Sequence, residues 1–304
     1  TLSELFWELA QAILARLARA GLALEGPDWQ AYDENPYQAF LGLCDLLNSR
    51  LGDQRLVVMM DEFGVLLAQI RDGVLDASIL DFIRGIIQRT NRLTFLFTGA
   101  VEMRRLQQEL RSTLFNTAKV YRISYLSPGE ATELITRPVE GLLTFHPLVI
   151  HRICEVTACH PYFIQYICDD LVQLARVERK NYLEPGDLDY VLREVVRDTT
   201  GNIEGNIYHF LNGAERAALA ALAAITDEVR VFVPLEDIAA MLERRHLSLP
   251  KSQLMRALQG LQERELVAER RMGQQLYYAF RMGLVRMWLR QNEILLRLSQ
   301  EQPL

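Results

Sequence analysis

The stretch LVVMMDEFGVLL, residues 56–67, decides how the chain is read. Five apolar residues, Leu56, Val57, Val58, Met59 and Met60, run directly into two carboxylates, Asp61 and Glu62. A short, wholly apolar run of this kind predicts a strand buried on both faces of a parallel sheet. Ligands in open parallel sheets bind at the carboxyl ends of the strands, where Asp61 and Glu62 would stand. An Asp there can hold Mg²⁺ through its water shell beside a nucleotide phosphate. A neighbouring Glu can deprotonate or orient an attacking water. The plainer alternative is a strand that meets solvent and caps the next helix with acids.

Working outward, LTFLFTGA (93–100) predicts a second buried strand, ending at Thr98. VYRISYL (120–126) predicts a third. Helical sequence lies between them, at about 76–90 and 101–111, and ahead of them, at 2–20 and 37–51, with GPDWQAYDENP (26–36) as a loop. Strands alternating with helices at this spacing mean βαβ units. Beyond Leu126 only helical periodicity remains as far as Arg197, at about 128–136, 147–157, 161–178 and 185–197. Ser127-Pro128-Gly129-Glu130 fits a capping box with Pro at the first helical position. DTTGNIEGN (198–206) predicts a linker. Helices at about 213–225, 234–245 and 250–264, strands at 266–270 and 276–280, and a helix at 283–298 then predict a winged helix-turn-helix. The expected division is 1–126, 127–198 and 199–304, an α/β core followed by an α-helical lid and a winged-helix domain.

Bulk properties narrow the classes. The 304 residues carry a net charge of −6, which argues against a general nucleic-acid coat. No apolar run approaches the ~20 residues of a membrane span. Four cysteines (Cys44, Cys154, Cys159, Cys168) do not make a disulfide scaffold, so a reducing, cytoplasmic setting is expected. His151, Cys154, Cys159, His160 and Cys168 cluster in sequence, but their spacing matches no usual zinc pattern. From residue 214 onward thirteen basic side chains stand against eleven acidic ones, a net of +2, weak for duplex binding. The helix at 250–265 and the wing tip RMGQQ, with Arg270 and Arg271, are the candidate DNA contacts; packing or protein docking is the alternative.

Taken in order, LVVMMDEFG, LFTGA, ELRSTLFNTAKVYRISYLSPGEATELITRPVEG (109–141), CHPYFIQYICDDLV (159–172) and the winged helix resemble the STAND and archaeal-type AAA+-related P-loop ATPases. The resemblance runs from about residue 1 to 295, although members usually carry Gly where Cys159 stands. It implies an ASCE P-loop core using ATP and Mg²⁺ as a molecular switch, with nucleotide state controlling a protein partner or self-association. Asp61 would bind Mg²⁺, Glu62 would act on the water and Thr98 would sense the γ-phosphate. Pro161 would pack on the adenine, with His160 beside it. Arg111 lies where relatives carry an arginine finger, and Arg137 could reach phosphate or pair with an acid. A different reading, a non-catalytic winged-helix DNA-binding or docking protein on a degenerate ATPase scaffold, stays open.

The phosphate-cradling GxxxxGK[ST] does not occur in the 304 residues. The family places that loop and its strand ahead of the first helix seen here. The resemblance therefore implies an N-terminally truncated parallel sheet holding strands three, four and five. A gap would lie between the last two, leaving backbone groups unpaired.

Overall fold

The computed structural model describes residues 1–99, 114, 118–197 and 202–301. The chain forms two compact units, Thr1–Tyr121 and Arg122–Leu304.

The first unit begins with α1 (Leu2–Arg19), α2 (Trp29–Glu34) and α3 (Pro36–Arg50). The buried stripe of α1 is Phe6, Ala10, Ile13 and Leu17, with Leu5, Leu9 and Leu14 flanking it. Phe6 anchors the packing. Its ring lies 5.1 Å from Phe40 and 5.2 Å from Phe82. The expected loop at 26–36 holds a short helix instead. Asp28 caps it by accepting the Ala31 N–H at 3.1 Å, and Tyr32 is fully buried. Asn35 then caps α3 through Gln38 N–H at 3.1 Å, with Pro36 at the first helical position.

Strand β1 (Leu56–Met60) leads through α4 (Phe63–Arg71) and α5 (Ser78–Arg89) to β2 (Leu93–Phe97). The strands pair in parallel, Leu56 opposite Leu93 and Met60 opposite Phe97. Alternate residues share a face. Val58, Met60, Leu93, Phe95 and Phe97 join the core formed with α1, α3 and α5. The other face carries Val57, Met59 and Leu96, which are 49%, 71% and 48% exposed. The expectation of burial on both faces is therefore corrected: among the described residues only one face is covered.

The expected third strand is also corrected. Residues 119–126 form no strand, and β1 and β2 make a two-stranded sheet. A strand exists only against a neighbour, and no described strand lies along the free edges of β1 and β2. β-branched and aromatic residues at 120–126 supply propensity, but propensity without a ladder does not hold a strand.

In the second unit Ser127 and Glu130 form the expected capping box around α6 (Pro128–Thr136). The helices α7 (Pro147–Thr157), α8 (Pro161–Glu178) and α9 (Pro185–Arg197) follow. Two short strands, β3 (Thr144–Phe145) and β4 (Tyr182–Leu183), pair in parallel between them. Two-residue strands are too short to show periodicity. Part of the expected linker is helical, α10 (Asn202–Asn206). Then come α11 (Gly213–Ile225), β5 (Val233–Pro234), α12 (Leu235–Arg244), α13 (Lys251–Glu263), β6 (Val267–Met272) and β7 (Gln275–Phe280). The antiparallel sheet runs β5-β7-β6. Gly273 opens its tight turn at φ +63°, where a side chain would strain the backbone.

The expected last helix is broken into α14 (Gly283–Gln291) and α15 (Ile294–Glu301). The break follows Asn292, at Glu293, whose backbone is left-handed at φ 48°, while Asn292 ties the helix end down. Its buried amide donates to the carbonyls of Trp288 at 3.0 Å and Val196 at 3.1 Å, tying α14 to the end of α9. A single core runs from Ala131 through α8 and α11 to Leu295.

Gly283 shows how closely these parts fit. A Cβ there would lie 2.7 Å from Val229 Cγ2 and 3.3 Å from the Cα of Val156 on α7. The side-chain methyl can rotate away; the backbone of Val156 must shift. Gly283→Ala is expected to destabilise the second unit by about 1–3 kcal/mol, the usual range for overpacking, measured by denaturant titration.

Candidate functional site

The parallel register sets Met60 beside Phe97, so the next residues, Asp61 and Thr98, emerge side by side at the carboxyl ends of β1 and β2. Backbone bonds fix them there. Thr98 N–H donates to Met60 O at 3.1 Å, and Phe63 N–H donates to Thr98 O at 2.9 Å. The Thr98 hydroxyl donates to Asp61 Oδ1. The Glu62 N–H donates to the same oxygen at 2.9 Å. These two bonds, the Thr98 hydroxyl foremost, hold the Asp61 carboxyl below the usual carboxylate range. Asp61 is therefore an exposed anion at neutral pH, with both bonds on one oxygen.

Glu62 adopts a left-handed backbone, φ 49°, unusual for a residue with a Cβ. This turns the chain sharply from β1 into α4. Glu62 occupies the N-cap of α4, yet its side chain makes no capping hydrogen bond. The capping alternative raised by the sequence thus leaves the Glu62 carboxylate unused and exposed.

The donor set suits Mg²⁺ held through water. Among the described residues no group of three His, Cys, Asp or Glu side chains is placed to hold a metal directly. Mg²⁺ keeps several waters and commonly takes one or two carboxylates plus phosphate oxygens. One exposed, ionised carboxylate with a free oxygen fits that requirement.

The other candidates lie elsewhere. Arg111 falls outside the described residues. Arg137 sits in the single turn Arg137–Val139 after α6, where its guanidinium meets Glu133 at 2.8 Å, an exposed i,i+4 pair. Such a pair holds the side chain only weakly. Pro161 is the first residue of α8 and His160 its N-cap. The His160 ring is half-buried, 5.2 Å from both Tyr125 and Phe163, and its Nδ1 has no partner among the described residues. Burial lowers its pKa, opposed by the nearby Glu265 charge, so the ring is neutral at pH 7.

Sequence reading missed one cluster. Glu265, just after α13 and left-handed at φ 61°, accepts from Ser124 Oγ at 2.8 Å and Arg281 Nη1 at 3.1 Å. Its backbone carbonyl accepts from the Tyr125 hydroxyl at 3.1 Å. Arg281 also lies over the Tyr125 ring, 5.0 Å from its centre. Burial, with the Glu265 charge, pushes the Tyr125 phenol up to about 12. Segment 122–126, expected as a strand, is instead pinned by side chains more than a hundred residues away in sequence. No local pattern signals that.

On the C-terminal sheet, a groove of about 820 Å³ runs between α13 and the hairpin. Lys251, Arg256 and Arg271 line it, together with Glu236 and Glu269. Arg270 is engaged over the Phe232 ring, 4.3 Å from its centre.

No protein-family model and no curated protein matches the chain. Solved structures do. The Walker-type ATPase PABY2304 of Pyrococcus abyssi superposes with a TM-score of 0.63 at 16% identity, over 95% of this chain and 79% of that one. The Aeropyrum pernix ORC2 protein, solved in ADPNP–ADP complexes, superposes at 0.60 with 14% identity, over 96% and 75%. The chain shares its fold with these two structures. It comprises an α/β core and a helical lid. No helix among the described residues is long and apolar enough to cross a membrane.

Proposed function

We propose that the chain carries the Mg²⁺- and water-handling half of an ATP-dependent molecular switch, related to the AAA+ and STAND ATPases. One observation carries this reading: Thr98 is hydrogen-bonded to an ionised Asp61 at the ends of adjacent parallel strands, while the Glu62 side chain next to it makes no capping bond and is exposed among the described residues. Asp61 would hold Mg²⁺ through its water shell, the ion supplying neutralisation of phosphate charge. Glu62 takes the proton of the attacking water. Thr98 fixes the Asp61 carboxylate, and to sense the γ-phosphate its one hydroxyl proton would turn from Asp61 to that phosphate.

The proposal also needs a loop that cradles the phosphates, and no GxxxxGK[ST] lies within the 304 residues. In the lid, Pro161 would pack on the adenine with neutral His160 behind it. Arg137 is a weakly held phosphate contact, and Arg111 the finger. We read 1–126 as core, 127–198 as lid and 199–304 as a winged helix. That last domain would respond to nucleotide state by docking a protein partner or another copy of the protein.

The test is Mg²⁺-dependent ATP binding and turnover, measured on the protein that includes the phosphate-binding loop. Asp61→Asn should remove the Mg²⁺ dependence and lower turnover at least about tenfold. Unchanged Mg²⁺ dependence would sink the assignment of Asp61.

A second reading is favoured by the groove beside α13. Its Lys251, Arg256 and Arg271 would meet nucleic-acid phosphates, with the DNA bound independently of nucleotide. Glu236 and Glu269 in the same groove oppose it. Duplex affinity that falls steeply with salt would support this reading.

A further inference from the structure

The turn between α7 and α8 contains a pair of cysteines in an unusual setting. Helix α7 ends with two consecutive left-handed residues, Ala158 at φ 51° and Cys159 at φ 61°. Glycine is the residue that accepts such a backbone without strain. The Cys159 N–H donates to the Cys154 carbonyl at 3.1 Å and the Ala158 N–H to the Glu155 carbonyl at 3.3 Å. This is the six-to-one closure of a Schellman turn, which characteristically brings the side chains at its two ends into contact. In most proteins that contact joins two apolar side chains; here it joins Cys154 and Cys159. The sulfur of Cys159 lies 3.8 Å from the Cys154 carbonyl oxygen. Both thiols are free, Cys154 partly exposed and Cys159 buried beside it. Neither is part of a group of three metal-binding side chains among the described residues.

We propose that Cys154 and Cys159 form a dithiol–disulfide pair, a redox modification site that clasps the turn leading into α8. The oxidant class is a small disulfide such as oxidised glutathione. The Cys154 thiolate attacks one sulfur of that disulfide, breaking its S–S bond and releasing one glutathione thiolate. The Cys159 thiolate then attacks Cys154 Sγ in the mixed disulfide and expels the second glutathione thiolate. The two cysteines lose two protons and two electrons; the glutathione disulfide becomes two thiols. The clasp fixes the backbone immediately before His160 and Pro161. The chemistry stands whether or not those residues bind a nucleotide.

Burial, with Cys159 adjoining, pushes the Cys154 thiol up to about 11. Its thiolate fraction at neutral pH is small, so closure is slow there and speeds up about tenfold per pH unit as pH rises toward that value.

The experiment treats the folded chain with excess oxidised glutathione from pH 7 to 9, then alkylates remaining thiols and weighs the intact protein. The count of free thiols should fall from four to two. No glutathione should be retained, fragmentation should place the bond between residues 154 and 159, and the melting temperature should rise by about 5 °C. Cys159→Gly, which relieves the left-handed backbone and so keeps the fold, should lose no thiol pair. Cys168→Ser should still lose two thiols, since that neighbour on α8 takes no part. Four thiols retained by the wild type, glutathione left attached without closure, loss of a pair in Cys159→Gly, or protection by Cys168→Ser would each overturn the proposal.

Discussion

If the chain acts as proposed, Glu62→Gln should slow ATP turnover by about 100- to 10,000-fold while leaving nucleotide binding within a few-fold of wild type, measured with the phosphate-binding loop present. The range is that of a removed general base. Gln keeps the size of the side chain and loses only its ability to take a proton. The fold has no stake in the exchange, because the Glu62 side chain caps nothing and is exposed. What α4 needs from residue 62 is its left-handed backbone, and that persists in Gln. Binding should persist because Asp61 and Thr98 are untouched. The readout is single-turnover hydrolysis beside equilibrium binding of labelled ATP. Equal turnover in both proteins would remove Glu62 from the chemistry and leave it as a surface acid at a helix start.

Trp288→Ala should have the largest effect on stability, a loss of about 3–5 kcal/mol in the second unit. Trp288 is 1% exposed, on α14, and lies 5.3 Å from the Tyr208 ring. Its backbone carbonyl also accepts the Asn292 amide at 3.0 Å, and the same amide donates to Val196 at the end of α9 at 3.1 Å. Loss of the indole opens a cavity beneath that junction. For a unit of this size the melting point should fall by about 6–20 °C, followed by circular dichroism. Trp288→Phe separates shape from polarity. The indole N–H has no acceptor among the described residues, so Phe should recover most of the loss. A Trp288→Ala protein melting within two degrees of wild type would mean that the core closes over the space.

Much of the fold was legible because its signals are local. The capping box at Ser127, the apolar run before Asp61 and the helical stripes each lie within a few residues and need no partner to be read. What escaped reading depended on neighbours. VYRISYL has the composition of a strand, but a strand needs a ladder, and no described strand lies beside it. Val57 and Met59 belong to a run that reads as doubly buried, yet their burial depends on what covers the second face. Within the candidate site, Asp61, Glu62 and Thr98 were visible as strand ends. Their hydrogen bonds follow from the parallel register, which single strands do not reveal. The left-handed turns at Glu62, Cys159 and Glu265 gave no warning, because none of them is a glycine. The Glu265 cluster joins residues 122–125 to residues 265 and 281, and proximity of that kind has no signature along the chain.

The common core of the second unit ties its helices and its hairpin to one another. α14 is seated on α7 and α9, and Gly283 lets its backbone approach that of Val156. A hinge between the α7–α9 bundle and the C-terminal sheet would have to open this shared core, so the cost of such a motion is the exposure of apolar surface rather than the bending of a linker.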